Sequence, residues 1–158
     1  MRTLLSLAAM LLLVCVVVVM AQEAEKPWFD GQNCAFCKEI ASQPGLMEHM
    51  RHEYHNVGAG ILTVSYIDKE FQDEFKASQV GMQKVVADLQ AGKQVPMCQH
   101  CEKIGYFMMK GVKMEGIHSA DAEIVLYSST DTTMVKELQE FGARTASELA
   151  KMAAHKAQ

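Results

Sequence analysis

The chain alternates between apolar runs of two periods, and those periods predict its elements. Phe71, Phe75, Ser78, Met82, Val85 and Leu89 recur at steps of three and four, as do Met134, Leu138, Phe141, Thr145, Leu149 and Met152. Each set is one stripe of an amphipathic helix suited to covering a sheet. Asp68 and Asp131 stand where an N-cap carboxylate would accept the free N–H groups of these helices. Before each helix comes a strand-turn-strand pattern. RHEYHNV, a Gly58-Ala59-Gly60 turn and ILTVSYI form the first; KMEGIHS, a turn around Asp121 and EIVLYSS form the second. Earlier still, Asn33 is placed to cap a helix that carries Cys34 and Cys37 on its first turn and breaks near Pro44-Gly45. A second such helix spans about 97–110 and stops at Gly111.

The same order of elements occurs twice. At an offset of 64, Cys34, Cys37 and Ile40 fall on Cys98, Cys101 and Ile104; at 63, His55 falls on His118, Ile61 on Ile124, Ser65 on Ser128 and Asp68 on Asp131. An ordered series with a single gap predicts a tandem duplication. The expected fold is therefore α+β: two α-β-β-α units, 34–92 and 97–154, joined by a brief 93–96 connection and related by a pseudo-twofold axis. Their hairpins would form one antiparallel sheet covered by amphipathic helices. A half-unit alone would bury too little apolar surface, so both repeats are expected to share one core.

The N-terminus changes the compartment. Met1-Arg2 precedes an apolar run from Leu4 to Met20 and the small residue Ala21, the pattern of a cleaved secretory signal over 1–21, followed by a polar linker over 22–33. The protein is thus expected to be exported, periplasmic or secreted, with no stable membrane insertion after cleavage. The whole chain of 158 residues carries a formal charge of −4 and no basic block, which argues against a nucleic-acid partner.

Of five cysteines, Cys15 leaves with the signal and the other four form two CxxC pairs, CAFC and CQHC. Two thiols at i and i+3 near a helix start favour thiolate and suit a soft metal ion. Bringing the pairs together gives a four-sulfur cage for zinc through Cys34, Cys37, Cys98 and Cys101. A variant places two thiolates and one imidazole, His55 or His118, around a separate ion in each repeat. Copper enters through the histidines and the methionines near both hairpins, although methionine is also a common core filler. The expected partner is a metal ion and the expected role is non-catalytic binding.

Two alternatives stay open. One is a dithiol/disulfide redox module, for which His100 within CQHC is suggestive but a preceding βαβ pattern is missing. The other is an interaction domain held by disulfides. Closing one CxxC supplies only about 1.9 kcal/mol of chain-entropy stabilisation, against about 4.3 kcal/mol for a bridge from Cys34 to Cys98. Neither figure explains why each pair keeps a two-residue gap.

Overall fold

The computed structural model describes residues 26–119 and 122–156, and of His118 and Lys156 the backbone alone. The expected signal over 1–21 and the tip of the second hairpin near Asp121 lie outside the described residues.

The elements are α1 (Cys37–Ala41), β1 (Met50–Val57), β2 (Gly60–Ile67), α2 (Gln72–Gln90), α3 (Gln99–Met109), β3 (Lys113–His118), β4 (Ala122–Ser128) and α4 (Thr132–Lys156), with short 3₁₀ turns at Leu46–Glu48 and Lys69–Phe71. The strands form one antiparallel sheet in the order β1-β2-β4-β3, so the two hairpins meet through β2 and β4. Gly60 opens β2 against the β4 backbone. A Cβ built there would lie 2.1 Å from the Tyr127 carbonyl oxygen, so only glycine permits this approach.

Strand pairing sorts the side chains between two faces. Met50, His52, Tyr54 and Asn56 share one with Ile61, Thr63, Ser65 and Ile67, and with Glu123, Val125 and Tyr127. Every helix packs on this side, in two separate clusters. Ile61, Phe107, Val112, Met134, Leu138 and Phe141 form one, flanked by Tyr54 and Tyr127. Leu46, Ile67 and Phe75 form the other, flanked by Ile40, Met50 and Phe71.

Between the clusters runs a polar row, with His52 opposite Ser65 and Ser65 opposite Glu123. His52 Nδ1 shares a 2.9 Å hydrogen bond with Ser65 Oγ, and Gln79 Nε2 of α2 donates to both Glu123 carboxylate oxygens at 3.4 Å. Within the helices, buried Ser78 and Thr145 return their hydroxyls to the carbonyls of Phe75 (2.7 Å) and Phe141 (2.8 Å). No buried hydroxyl is left unmet at either place.

Helix ends explain where expectation and structure part. Asp131 caps α4 as expected, its Oδ1 accepting from the N–H groups of Thr133 (2.8 Å) and Met134 (3.3 Å). Asp68 does not cap with its side chain; that carboxylate instead meets His49 Nδ1 at 2.7 Å, and a 3₁₀ turn precedes α2. α3 ends as expected in a Schellman arrangement. Gly111, at φ 80°, gives its N–H to Met108, and Val112 gives its own to Phe107. The first CxxC helix is shorter than expected, beginning at Cys37. Asp30 Oδ1 accepts from the N–H groups of Gln32 (3.0 Å) and Asn33 (2.8 Å), so the chain is turned by Asp30 and Asn33 is not the cap.

The hairpin registers also place the two histidines that an offset of 63 had matched. His55 faces Leu62 and His118 faces Glu123. Leu62 belongs to the sheet face away from the helices and Glu123 to the covered face, so the two histidines stand at register positions on opposite faces and are not equivalent in the sheet.

Truncating a fully buried side chain should separate core from surface. Leu138→Ala is expected to lower unfolding stability by about 2–5 kcal/mol, while Met109→Ala, at a residue 83% exposed, should stay within about 0.5 kcal/mol. Chemical denaturation of both variants measures the difference.

Candidate metal centre

The two CxxC segments meet because their backbones are tied together. The Ala35 N–H donates to the Pro96 carbonyl at 2.9 Å. Gln99 and His100, the first residues of α3, donate to the carbonyls of Pro27 (3.2 Å) and Trp28 (3.1 Å). A helix start leaves its first N–H groups unpaired, and here a remote segment accepts two of them. Lys26 adds an ion pair to Glu102. The stretch over 26–33, expected as linker, is thus packed against the second cysteine pair.

This clasp brings the four sulfurs together. Cys37 Sγ lies 3.5 Å from Cys98 Sγ and 3.8 Å from Cys101 Sγ, and all four Sγ atoms lie within 4.8 Å of one another. All four cysteines are free thiols. Cys34 and Cys98 are buried at 1% and 2% exposure, while Cys37 and Cys101 are half-buried on the outer side. Around the cage stand aromatic rings. His100 lies with its ring centroid 5.9 Å from that of Trp28, 4.9 Å from Phe29 and 5.0 Å from Phe141, and Arg144 covers Trp28 at 4.2 Å.

The electrostatics follow from this crowding. Cys37 is pulled down to about 6, chiefly because the Cys101 thiol donates a hydrogen bond to its sulfur. That role pushes Cys101 strongly upward, and burial pushes Cys98 up to about 11. Without an ion the cage therefore gives up the Cys37 proton readily and resists losing those of Cys98 and Cys101. Burial also lowers His100 to about 4, with His52 nearby adding to the shift, and burial lowers His52 as well. Both rings are neutral near pH 7, so neither balances a thiolate. A divalent cation can supply the missing positive charge and displace the remaining protons.

The structure joins four of the six sequence-derived ligands. His55 lies on the sheet face opposite to the helices, exposed, with Nε2 at 3.1 Å from a Glu53 carboxylate oxygen. It is outside the four-sulfur group, which is the cluster found among the described residues. His118 ends β3 opposite Glu123, and its side chain is outside the described residues. The imidazoles nearest in role are instead His100, within the motif itself, and His52, whose strand parity turns it toward the helices. Strand parity could have found His52 once the first residue of β1 was fixed; the accepting carbonyls of Pro27 and Trp28 had no signal beyond a lone Trp-Phe pair ahead of Cys34.

Comparison with protein-family models, curated proteins and solved structures found no match to this chain.

The low Cys37 value predicts a titration. Metal-free protein should show one thiolate by ultraviolet absorbance with a midpoint near pH 6, and Cys37→Ser should remove that step. Because the folded value lies below the ordinary 9.0 of a thiol, its contribution to stability is complete above about pH 9 and vanishes as pH falls through about 6. Metal-free protein should lose that increment on acidification, measured by denaturation across the window.

Proposed function

We propose that this is an exported, non-catalytic protein that holds a single zinc ion through Cys34, Cys37, Cys98 and Cys101, one CxxC coming from each copy of a duplicated α-β-β-α unit. The observation that carries the reading is the sulfur spacing. A tetrahedral site with Zn–S bonds of about 2.3 Å has S···S edges of about 3.8 Å, and Cys37 stands 3.5 and 3.8 Å from two of its neighbours. Sulfurs this close suit one ion rather than a multi-iron cluster, in which cysteines bind different irons and stand farther apart.

Several features favour zinc over copper. The cage consists of sulfurs from cysteine alone, and His55, the described histidine on which a copper variant relied, faces away from it. Four thiolates in closed tetrahedral array suit a d¹⁰ dication with no redox chemistry. Export is supported by the Leu4–Met20 apolar run. In an oxidising compartment a bound ion would also shield thiols otherwise open to oxidation. Duplication is supported by the element order, helix-strand-strand-helix twice over, with like strands β2 and β4 meeting at the centre.

The second reading, dithiol redox chemistry, draws on one observation: Cys37 is half-buried, lowered to about 6, and 3.5 Å from Cys98. The all-antiparallel sheet, however, lacks the βαβ unit on which thioredoxin-like sites are built.

Elemental analysis of purified protein separates the two. One zinc per chain with four protected thiols is the expected result; two ions, or metal-free protein with reversible disulfides at an oxidoreductase-like potential, would refute it. Stripping the ion should lower the melting temperature by roughly 10 °C, since a ligand at a thousandfold excess over its Kd adds about 4 kcal/mol to a small domain. Cys98→Ser should abolish stoichiometric binding and lose the same increment.

A further inference from the structure

The sheet face turned away from the helices is more apolar at its centre than the face that the helices cover. Leu62, Val64 and Tyr66 of β2 stand there beside Ile124 and Leu126 of β4, with Val57 and Ile117 on the edge strands. The covered face has Thr63, Ser65 and Glu123 at equivalent central positions. An antiparallel sheet with one solvated face ordinarily places its polar residues outward. Here the central rows depart from that order, although Val64 is itself only 8% exposed, and neither buried cluster draws on the outer residues.

We infer that this face joins two copies of the chain, sheet against sheet, about a twofold axis running along the strands between β2 and β4. The register decides the occupant. Such an axis lays β2 of one copy over β4 of the other, and β1 over β3. The rows of paired residues then set Tyr66 on Ala122, Val64 on Ile124 and Leu62 on Leu126, so the bulkiest outer side chain meets the smallest. At the rim, His55 of one copy comes over Glu115 of the other, and Val57 over the aliphatic stem of Lys113. The central rows are complementary in size and His55 meets Glu115 at the rim, while Ile117 of one copy lies over Glu53 of the other; each contact occurs twice by symmetry, as an isologous interface requires. A membrane is a poorer occupant, because the rim carries Glu53 and Glu115 beside Arg51 and Lys113 and forms no basic cluster.

The size fits a modest dimer. Four strands about 4.8 Å apart and about six residues long offer roughly 400 Å² of flat area per copy. With side-chain relief the total approaches the low end of specific interfaces, about 1,200 Å². Micromolar rather than nanomolar association is therefore expected.

Sedimentation of the full chain across about 1–200 µM tests the inference. A concentration-dependent monomer-dimer equilibrium is expected. Ile124→Glu should weaken it at least about a hundredfold, because a carboxylate would be buried unpaired, while leaving the far-ultraviolet dichroism intact. Ile117→Glu, at a residue 65% exposed that can be changed without touching the core, should weaken it about tenfold by facing Glu53 of the other copy. Glu115→Lys should weaken it about threefold, with recovery in the His55→Asp, Glu115→Lys double variant. A monomer throughout the range, or association that Ile124→Glu and Ile117→Glu both leave unchanged, would overturn the proposal; the latter would assign self-association to another part of the chain.

Discussion

Three backbone hydrogen bonds hold the two ends of this structure together: Ala35 to Pro96, Gln99 to Pro27 and His100 to Trp28. Their effect exceeds their individual strength, about 1 kcal/mol each. Two of them satisfy N–H groups that the start of α3 leaves open, and together the three fix the separation of the two cysteine pairs. The backbone thus sets where the sulfurs stand. That arrangement concentrates thiols which resist ionising together, as the upward shifts of Cys98 and Cys101 record. A site so built stores repulsion that a dication relieves.

The helix layer has a matching economy. Its two apolar clusters are divided by the row His52, Ser65 and Glu123, so the polar groups of the interior sit beneath the α2 and α3 region. Tyr127 joins this zone: burial pushes it up to about 12, with the charges of Glu123 and Cys101 adding to the effect. The middle of the helix-covered face, between the two apolar clusters, is consequently polar. The apolar residues displaced from that role, Leu62, Val64, Ile124 and Leu126, occupy the other face. Alternation along β2 makes these two outcomes inseparable, since a one-residue shift would exchange them.

Much of the architecture was legible because it follows from period and from local chemistry. The two helix stripes, the Gly111 stop, the Asp131 cap and both hairpins rest on interactions within a few residues. The four clustered cysteines were legible for a different reason, the doubled CxxC spacing. What escaped was set by distant partners. Asp68 had the residue type and position of a cap, but His49 competes for its carboxylate. Asn33 lost the capping role to Asp30, and the first CxxC helix shortened accordingly. His55 looked equivalent to His118 by letter count, yet strand pairing puts the two at register positions on opposite faces of the sheet. An odd offset between strands exchanges their faces, and letter count alone does not register that.

Folding order follows from the same long-range ties. Ala35 meets Pro96, and Cys37 meets Cys98 and Cys101, across separations of about 60 residues; β2 and β4 pair across a similar span, Thr63 with Val125. Each hairpin can form locally, but neither the central strand pairing nor the clasp can form until that long loop has closed. Once either has closed it, the other gains its contacts without a second full entropic cost. Sheet closure and assembly of the sulfur cage are therefore two readouts of one cooperative step. An ion that binds only the assembled cage stabilises the sheet as well, although no ligand atom belongs to a strand.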